Sequence, residues 1–463
     1  MTDKEIVLTK ENLFYYLSKS QLGRAIELID NLLTQVQDGY YGDEVYELKT
    51  NYKRMLQYMF YGVNDPEQHL VYQHLLKETY EIGEHLADKL LQLNSTQYTY
   101  RTKRLFAVQP VISDELVLSG FQRYASLGNR KTESDIREYE MLISYSFDKY
   151  WLTSLYSETM LQQVKLLAED ETIGQIELCS LASAITLSSM AFFDEKKCLA
   201  LVELTKSRYP EVVLRALTGV VLFLYFHHQR ISFYPVIRTQ ITLLFDKEEF
   251  IVASQLIIKQ FIRSKETEKI TKDITENILP ELSKIAPHVQ NDLADIDKQE
   301  ELEDKKNQWQ DMIEETGIGE KMQQYAELQS QGADIQMSTF SMLKNYPFFN
   351  VVSNWFLPFY AEHSSVSNLF KEEKENSFLS FLAKSPILCH SDKYSFCLNL
   401  TMVPEQYRKA MMNGVQMESE QLKEMTNDKL SLSNTVVAEE IMNKYIQDLY
   451  RFYKLFPKNN KNS

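Results

Sequence analysis

Residues 435–456, TVVAEEIMNKYIQDLYRFYKLF, indicate the fold class of this chain. Apolar side chains recur in this stretch at intervals of four, four, four, three and four residues, and they are Val437, Ile441, Tyr445, Leu449, Phe452 and Phe456. This is the spacing of one face of an α-helix, while polar residues such as Glu440 and Lys444 occupy the other faces. The stretch therefore predicts an amphipathic helix.

The same spacing recurs elsewhere, and signals for strands are missing. Over residues 70–93 the apolar positions again fall on one helical face: Val71, Leu75, Ile82, Leu86, Leu90 and Leu93. Period-two alternation bounded by Asn-Gly or Asp-Gly does not occur. Only 13 of the 463 residues are glycine and 11 are proline, which is too few for a turn-rich sandwich or barrel. We therefore predict an all-α protein.

The predicted helices come in consecutive pairs. Residues 12–19 and 22–37 form one hairpin that breaks near Ser20, and Ala25 within it matches the small residue of a tetratricopeptide unit. Residues 179–193 and 195–207 form another pair.

Residue types at the helix ends support the second pair and the helix after it. Asp194 lies where an N-cap is expected. The stretch from Tyr209 to Leu217, in which Pro210 begins a helix, resembles half of a HEAT unit. These pairs predict an irregular α-solenoid of antiparallel helix pairs, TPR/HEAT-like, followed by a C-terminal helical domain. A right-angled helical bundle is the competing architecture.

Composition divides the chain into three predicted parts. Residues 1–264 are the helical-pair repeat region. Residues 265–330 are an acidic helical connector, because 265–321 contain 16 acidic residues and eight lysines. Residues 331–463 are an aromatic-rich C-terminal helical domain, with eight aromatic side chains between 340 and 360. We expect these aromatic side chains to form a core, with a groove for a partner as the alternative.

Charge and cysteine content restrict the classes of partner and compartment. The chain carries 50 basic and 65 acidic residues, a net charge of −15, which disfavours binding to nucleic acid or to an anionic membrane. Four cysteines are too few for a disulfide framework, so we expect a reduced, cytoplasmic setting. The apolar run 216–226 is too short to span a bilayer and predicts a buried helix.

Several short strings carry a family resemblance. They are the acidic stretch leading to Trp309, then residues 317–322 (GIGEKM), 343–349 (LKNYPFF) and 355–359 (WFLPF). With them the whole chain resembles uncharacterised bacterial proteins of the Bacteroides type that contain tetratricopeptide or other helical repeats. The resemblance implies regular repeats after a segment like 450–457, where KNNKNS stands here, so it implies a short form or a missing array. It implies no catalytic residues.

Motifs for catalysis, cofactors or metals are too incomplete to assign. Cys389, His390 and Cys397 lack the close pairing of a zinc site, and we expect buried thiols beside a surface histidine. The stretch from Ser341 to Lys344 matches Ser-x-x-Lys without its supporting motifs. Residues 317–321 lack the spacing of a phosphate loop. We therefore predict no catalytic residue, no cofactor and no metal site.

The function that the sequence favours is a non-enzymatic scaffold for protein–protein interaction built on helical repeats. An enzyme, or an enzyme-associated subunit, whose site is assembled from residues distant in sequence is the alternative. We expect protein partners and neither nucleic acid nor membrane. The predicted partner-binding residues are the stripe Val437, Ile441, Tyr445, Leu449, Phe452 and Phe456. In the alternative interpretation this helix folds back on residues 340–360.

Overall fold

The structure is a computed structural model of the 463-residue chain. It describes residues 1–36, 39–62, 66–278, 280, 321, 324, 328, 334–335, 337–367, 370, 373–385, 388–404, 408, 412 and 435–456. The described residues are 81% helical and none of them lies in a strand, which confirms the all-α prediction. Trp309 and most of the predicted connector 265–330 lie outside the described residues.

The first four helices share one core. They are α1 (Asp3–Ser18), α2 (Leu22–Val36), α3 (Gly39–Phe60) and α4 (Gln68–Asn94). The hairpin between α1 and α2 turns at Ser20, where the sequence predicted a break. The φ of Ser20 is +56°. Helix α4 packs on α1, α2 and α3, and its inward face supplies Leu75, Ile82, Leu86 and Leu90 to the core. We call this core the N-terminal cluster.

The next ten helices complete the described chain up to residue 273. They are α5 (Tyr98–Ala107), α6 (Asp114–Leu127), α7 (Glu133–Leu152), α8 (Glu158–Glu169), α9 (Gln175–Ala191), α10 (Glu195–Leu204), α11 (Pro210–His227), α12 (Pro235–Phe245), α13 (Glu248–Ser264) and α14 (Thr267–Asp273). Asp194 caps α10 by accepting a hydrogen bond from the Lys196 N–H, and α11 begins at Pro210. Both local predictions are confirmed.

Helices α9 and α11 pack closely against each other. From Leu178 to Ser189 every residue of α9 is apolar, Ser or Thr, and all of them are buried, so this part of α9 lies inside the array with α7 and α11 against it. Helix α11 is long and apolar enough to cross a membrane, yet 61% of it is buried within the structure. It includes the run 216–226 that we predicted to be a core helix.

The C-terminal segment returns to these helices. Its helices are α15 (Met337–Phe340), α16 (Ser364–Ser367), α17 (Glu373–Lys384), α18 (His390–Leu400) and α19 (Thr435–Leu455). Between α15 and α16, residues 342–355 form three short 3₁₀ turns. Trp355 and Phe356 are fully buried there, so the prediction that the aromatic stretch is core holds for them.

A single hydrophobic core contains side chains from both the first and the third of the three predicted parts. Buried side chains from 117–257 and from 340–456 form a single hydrophobic cluster, here called the main cluster. The described core therefore does not separate at residues 264 and 331, and the three-part division stays a prediction. Helix α19 contacts α18 and also α11 and α13, which are distant from it in sequence. In a solenoid each repeat contacts only adjacent repeats, so a solenoid is not confirmed.

Candidate functional site

The predicted partner-binding stripe of α19 lies against the chain itself. Tyr445, Leu449, Phe452 and Phe456 are buried, while Val437 and Ile441 are half-buried. The Phe452 ring packs edge-on against Phe356, with 5.1 Å between ring centroids. The stripe therefore has the arrangement of the alternative interpretation, folded back on residues 340–360. It is not exposed to a partner in this structure, because the aromatic turns and α11 cover it.

A buried carboxylate on α11 joins groups that are distant in sequence. Glu211 Oε1 accepts hydrogen bonds from Arg215 Nη2 at 2.7 Å and Nε at 3.1 Å, and it lies 2.9 Å from His390 Nε2. The Phe359 N–H donates to His390 Nδ1 at 2.9 Å. Because Nδ1 accepts, Nε2 carries the proton and donates to Glu211.

The ion pairs around Glu211 set its charge state. Burial raises the pKa of the Glu211 carboxyl, but His390 and Arg215 outweigh burial and the net pKa lies well below its usual range. Burial also lowers the pKa of His390. We expected a surface histidine at this position, but the His390 side chain is only 12% exposed. The expected buried thiols beside it are found, since Cys389 and Cys397 are both buried.

A second buried cluster ties α19 to α18 and to residue 334. The Arg451 guanidinium donates to both carboxylate oxygens of Asp334, at 2.6 and 3.0 Å, and to Asp392 at 3.0 Å. Lys344 Nζ lies 2.9 Å from the same Asp392 carboxylate. Lys344 is the lysine of the Ser-x-x-Lys match, and its amine donates to Ser391 and Ser395 rather than to Ser341.

Two buried lysines have the chemical character of reactive amines. Burial lowers the pKa of Lys197 to about 7, and burial together with Lys444 lowers the pKa of Lys393 to about 7. Each amine donates to main-chain carbonyl oxygens: Lys197 to Ser188 and Phe192, and Lys393 to Ala383. Both side chains are covered, so these amines satisfy buried carbonyls rather than face a substrate.

Metal-ligating residues are not gathered in the described part of the chain. No group of three or more His, Cys, Asp or Glu side chains in the described ranges is arranged to hold a metal ion. The charged clusters on α11 and α19 instead pair carboxylates with Arg and Lys, and such pairs hold helices together without any ligand. Chemically, these clusters neutralise buried charge and fix the position of the C-terminal segment.

An open groove lies at the end of the α3–α4 hairpin, where the two helices meet. It has a volume of about 500 Å³ and is lined by Tyr52, Met55, Leu56, Met59, Pro66, Gln68, His69 and Tyr72. The four α3 residues are spaced i, i+3, i+4 and i+7, so they share one helical face. We call this cavity the α3–α4 groove.

Local packing fixes one wall of the groove. Gly23 of α2 has no side chain, and a Cβ there would lie 3.2 Å from the Tyr52 hydroxyl, so the tyrosine ring rests directly on α2. The Tyr72 hydroxyl donates to the carbonyl oxygen of Ser20 in the α1–α2 turn. Met55 is buried beneath these rings. The groove therefore has a floor held by three helices.

Exposed apolar side chains are concentrated at this end of the α3–α4 hairpin. They are Leu56, Tyr58, Met59, Phe60, Tyr61, Leu70 and Val71, which we call the α3–α4 apolar surface. Phe60 is 87% exposed and Tyr61 is 76% exposed. Aromatic side chains carry about 150–250 Å² each, so Tyr58, Phe60 and Tyr61 alone present roughly 350–550 Å² of accessible surface.

Sequence reasoning missed this surface. The signal was present, since MLQYMFYG at 55–62 contains six large apolar side chains and no charged residue. Apolar residues on every side of a helix end do not fit a one-sided amphipathic pattern, and such a run indicates either a buried helix or an exposed contact. The spacing of apolar residues in α3 does not by itself indicate which side of α3 is covered by α4. Only Met55 of this run is buried.

Comparison with known proteins gives no match: no family model, no curated protein and no solved structure is similar to the chain. The resemblance to bacterial helical-repeat proteins therefore stays an expectation from the sequence.

Proposed function

We propose that this chain is a non-enzymatic protein-interaction scaffold that contacts its partner through the α3–α4 apolar surface. The observation that carries the proposal is the concentration of seven exposed, large apolar side chains at one end of one helical hairpin. A concentration of exposed large apolar side chains on a folded protein is typical of an interaction site. The aromatic composition supports the same function, because Tyr and Phe are enriched at protein interfaces.

The placement of polar groups also favours binding over catalysis. An enzyme would need a concave site with several convergent polar groups. The α3–α4 groove offers mainly rings and thioethers, with Gln68 and His69 as its polar side chains apart from the tyrosine hydroxyls. The clusters around Glu211 and Arg451 have the convergent polar groups, but the Arg451 side chain is fully buried and the Glu211 side chain is only 12% exposed. An enzyme with a site assembled from distant residues remains the alternative function.

Site-specific photocrosslinking tests the proposal. Replacing Phe60 with a photoreactive phenylalanine analogue places the probe on the apolar surface. We expect a discrete crosslinked protein after irradiation in a lysate of the native cells. The matched control places the same analogue at Val111, which is 88% exposed and lies in the loop before α6. The double variant Phe60→Ser, Tyr61→Ser should compete poorly when it is added, unlabelled, in excess.

The result that overturns the proposal is equally definite. If probes at residues 60 and 111 give the same crosslinked products, or if neither gives one, the α3–α4 apolar surface is not a partner-binding site. Competition by the double variant equal to that of the unmodified chain would contradict the proposal in the same way. Circular dichroism of the variants establishes that they remain folded, which we expect because both side chains are exposed.

A further inference from the structure

Helix α4 has two opposite faces of different chemistry. Its apolar face lies in the N-terminal cluster. The opposite face carries Glu81, Glu84 and Asp88, which are spaced i, i+3 and i+7 and therefore share one side of the helix. Each of the three carboxylates contacts a residue that lies beyond α1–α4 in the chain. We call these three side chains the α4 carboxylate row.

The first two carboxylates of the row bind groups near α10 and α12. Glu81 accepts a hydrogen bond from the Tyr234 hydroxyl at 2.7 Å. Glu84 pairs with Arg230, and it also accepts a hydrogen bond from the Phe193 main-chain N–H at 3.4 Å. Both Glu84 and Arg230 are buried, so the centre of the row is shielded from water.

The third carboxylate binds groups near α5 and α7. Lys103 Nζ lies 3.3 Å from Asp88 Oδ1, and the Ser154 hydroxyl donates to Asp88 Oδ2 at 2.7 Å. The side chains of Asp88 and Lys103 are only 13% and 17% exposed. The contact between α4 and the rest of the chain is therefore polar along the whole row.

Apolar contact across the same boundary is limited. Within the described ranges, the half-buried rings of Tyr100 and Phe233 are the apolar side chains from beyond residue 94 that pack on the N-terminal cluster. The His85 ring also stacks on Phe192, with 5.6 Å between ring centroids. Contacts between units of one chain permit relative motion unless they are large and apolar. This boundary has the composition of a contact that can open.

The chain crosses the boundary once. Residues 1–94 contain α1–α4, and residues 95–97 lead from α4 to α5. This connection is not helical, because ψ is 135° at Ser95 and 146° at Gln97. The Arg104 guanidinium donates to the carbonyl oxygens of Gln92 and Ser95, each at 2.7 Å. A few residues at the end of an element are the usual site of a hinge.

We propose that α1–α4 turn as one rigid unit about residues 95–97 and that the α4 carboxylate row is the latch that holds this unit against the rest of the chain. A helix rises 1.5 Å per residue, so Asp88 lies about 10 Å and Glu81 about 20 Å along α4 from residue 95. A rotation of about 20° moves Glu81 by roughly 7 Å and Asp88 by about half as much. The contacts farthest from the hinge therefore separate most.

The rotation also carries the α3–α4 apolar surface. This surface lies where α4 begins, about 40 Å along the helix from the hinge, so the same rotation displaces it by roughly 14 Å. The hinge thus sets the direction in which the surface faces relative to the main cluster. The inference does not depend on the proposed function, because the latch and the hinge are independent of what the surface binds.

Distances between paired spin labels test the rotation. Labels are attached to cysteines introduced at exposed positions, in the pairs Glu47→Cys with Gln162→Cys and Glu47→Cys with Lys259→Cys. The four native cysteines are buried and do not compete for the label. In the latch variant Glu81→Gln, Asp88→Asn we expect a second distance to appear in at least one pair. The variant keeps Glu84 and Arg230, so no buried charge is left without its partner.

Hydrogen exchange measures how often the latch opens. The Phe193 N–H donates across the contact, so its exchange rate follows the population of open molecules. We expect the latch variant to raise this rate at least about tenfold, because two charged hydrogen bonds are weakened. The amides of Ile29 in α2 and Ile185 in α9 lie in the two cores and should exchange as they do in the unmodified chain.

A matched control and three results decide the inference. The control Glu133→Gln, Glu138→Gln removes two exposed carboxylates that pair with Arg137 and Arg123 on the surface, and it should change neither measurement. Unchanged distances in both label pairs of the latch variant would show that α1–α4 do not turn. Faster exchange at Ile29 equal to that at Phe193 would mean that the unit unfolds instead of turning. An equal effect in the control would reveal a non-specific effect of charge.

Discussion

His227, at the end of α11, is a buried base in direct contact with the main chain. Its Nε2 lies 2.7 Å from the carbonyl oxygen of Ser189. A carbonyl oxygen only accepts hydrogen bonds, so Nε2 carries the proton and Nδ1 is the site that a second proton would occupy. Burial, reinforced by Arg230 and opposed by Glu84, lowers the pKa of His227 to about 4.

Because its pKa is low in the folded chain, His227 makes the free energy of unfolding depend on pH. An unfolded histidine has a pKa of about 6.5, so between pH 6.5 and about 4 the unfolded chain binds more protons than the folded chain. The contribution of neutral His227 is fully present above this window and is lost as the pH falls through it. In His227→Gln we expect the free energy of unfolding to depend less steeply on pH, by up to about 1.4 kcal/mol per pH unit. Urea unfolding at several pH values measures this slope.

The neighbouring histidine supplies the control for this measurement. His228 is exposed and its ring contacts only the carbonyl oxygen of Tyr225. His228→Gln should therefore keep the pH dependence of the unmodified chain. If the free energy of unfolding of His227→Gln runs parallel to that of the unmodified chain from pH 6.5 to 4, the ring is not held neutral by burial.

At the scale of elements, the closeness of α9 and α11 depends on one glycine. A Cβ at Gly219 would lie 2.4 Å from Thr186 Oγ1 and 2.9 Å from a Leu201 methyl carbon. We expect Gly219→Ala to lower the free energy of unfolding by about 1–2 kcal/mol. The overpacking of the core destabilises the folded chain by more than the higher helix propensity of alanine stabilises it. Thermal and urea unfolding measure the change.

A second glycine isolates the packing effect from the propensity effect. Gly42 lies in the first turns of α3, and nothing approaches within 4 Å of the position of its Cβ. Gly42→Ala should raise the free energy of unfolding by about 0.5–1 kcal/mol, since only propensity changes there. The two variants are thus expected to have opposite signs. Stabilisation by Gly219→Ala would mean that α9 and α11 are less closely packed than the structure has them.

The sequence predicted elements that depend on neighbouring residues, and it failed where contacts are distant in the chain. The break at Ser20, the cap at Asp194 and the start of α11 at Pro210 follow from local chemistry. The cover over Tyr445 by the 340–360 turns was one of two interpretations of the sequence, and local chemistry alone does not choose between them. No spacing in one sequence indicates that Glu211 will face His390. The exposed side of α3 was missed for the same reason, since burial by α4 decides it.

At the scale of the whole molecule, a charged contact joins the N-terminal cluster to a third buried cluster, which is formed by Phe193, Cys198, Phe223, Tyr234 and Ile237. Arg230, after α11, pairs with Glu84 of α4, and both side chains are buried. The Arg230 guanidinium also lies 5.0 Å from the Phe14 ring and 4.3 Å from the Phe193 ring. Burial raises the pKa of Glu84, but Arg230 and Lys10 outweigh it and the net pKa is lowered. The Arg230–Glu84 pair therefore remains ionised where α4 meets the segment after α11.

Arg230→Ala should loosen the N-terminal helices before the rest of the chain. The change leaves the Glu84 carboxylate buried with Lys10 as its remaining cation, at 3.4 Å, and breaking a buried pair costs about 3–5 kcal/mol. Residues 1–150 contain no tryptophan, whereas Trp151 and Trp355 lie in the main cluster. When the third tryptophan, Trp309, is replaced by Phe in every variant, tryptophan fluorescence reports unfolding of the main cluster, and far-ultraviolet circular dichroism reports all helices.

For Arg230→Ala we expect part of the helical signal to be lost at lower urea concentration, while the fluorescence transition stays close to that of the unmodified chain. The control is Arg137→Ala, which breaks the exposed pair with Glu133 and should cost less than about 1 kcal/mol. Equal shifts of both transitions would mean that the two clusters unfold as one cooperative unit. No shift in either would mean that apolar contacts, rather than the Arg230–Glu84 pair, join them. A separate early transition would place the α3–α4 groove on a part of the molecule whose stability can change without unfolding the main cluster.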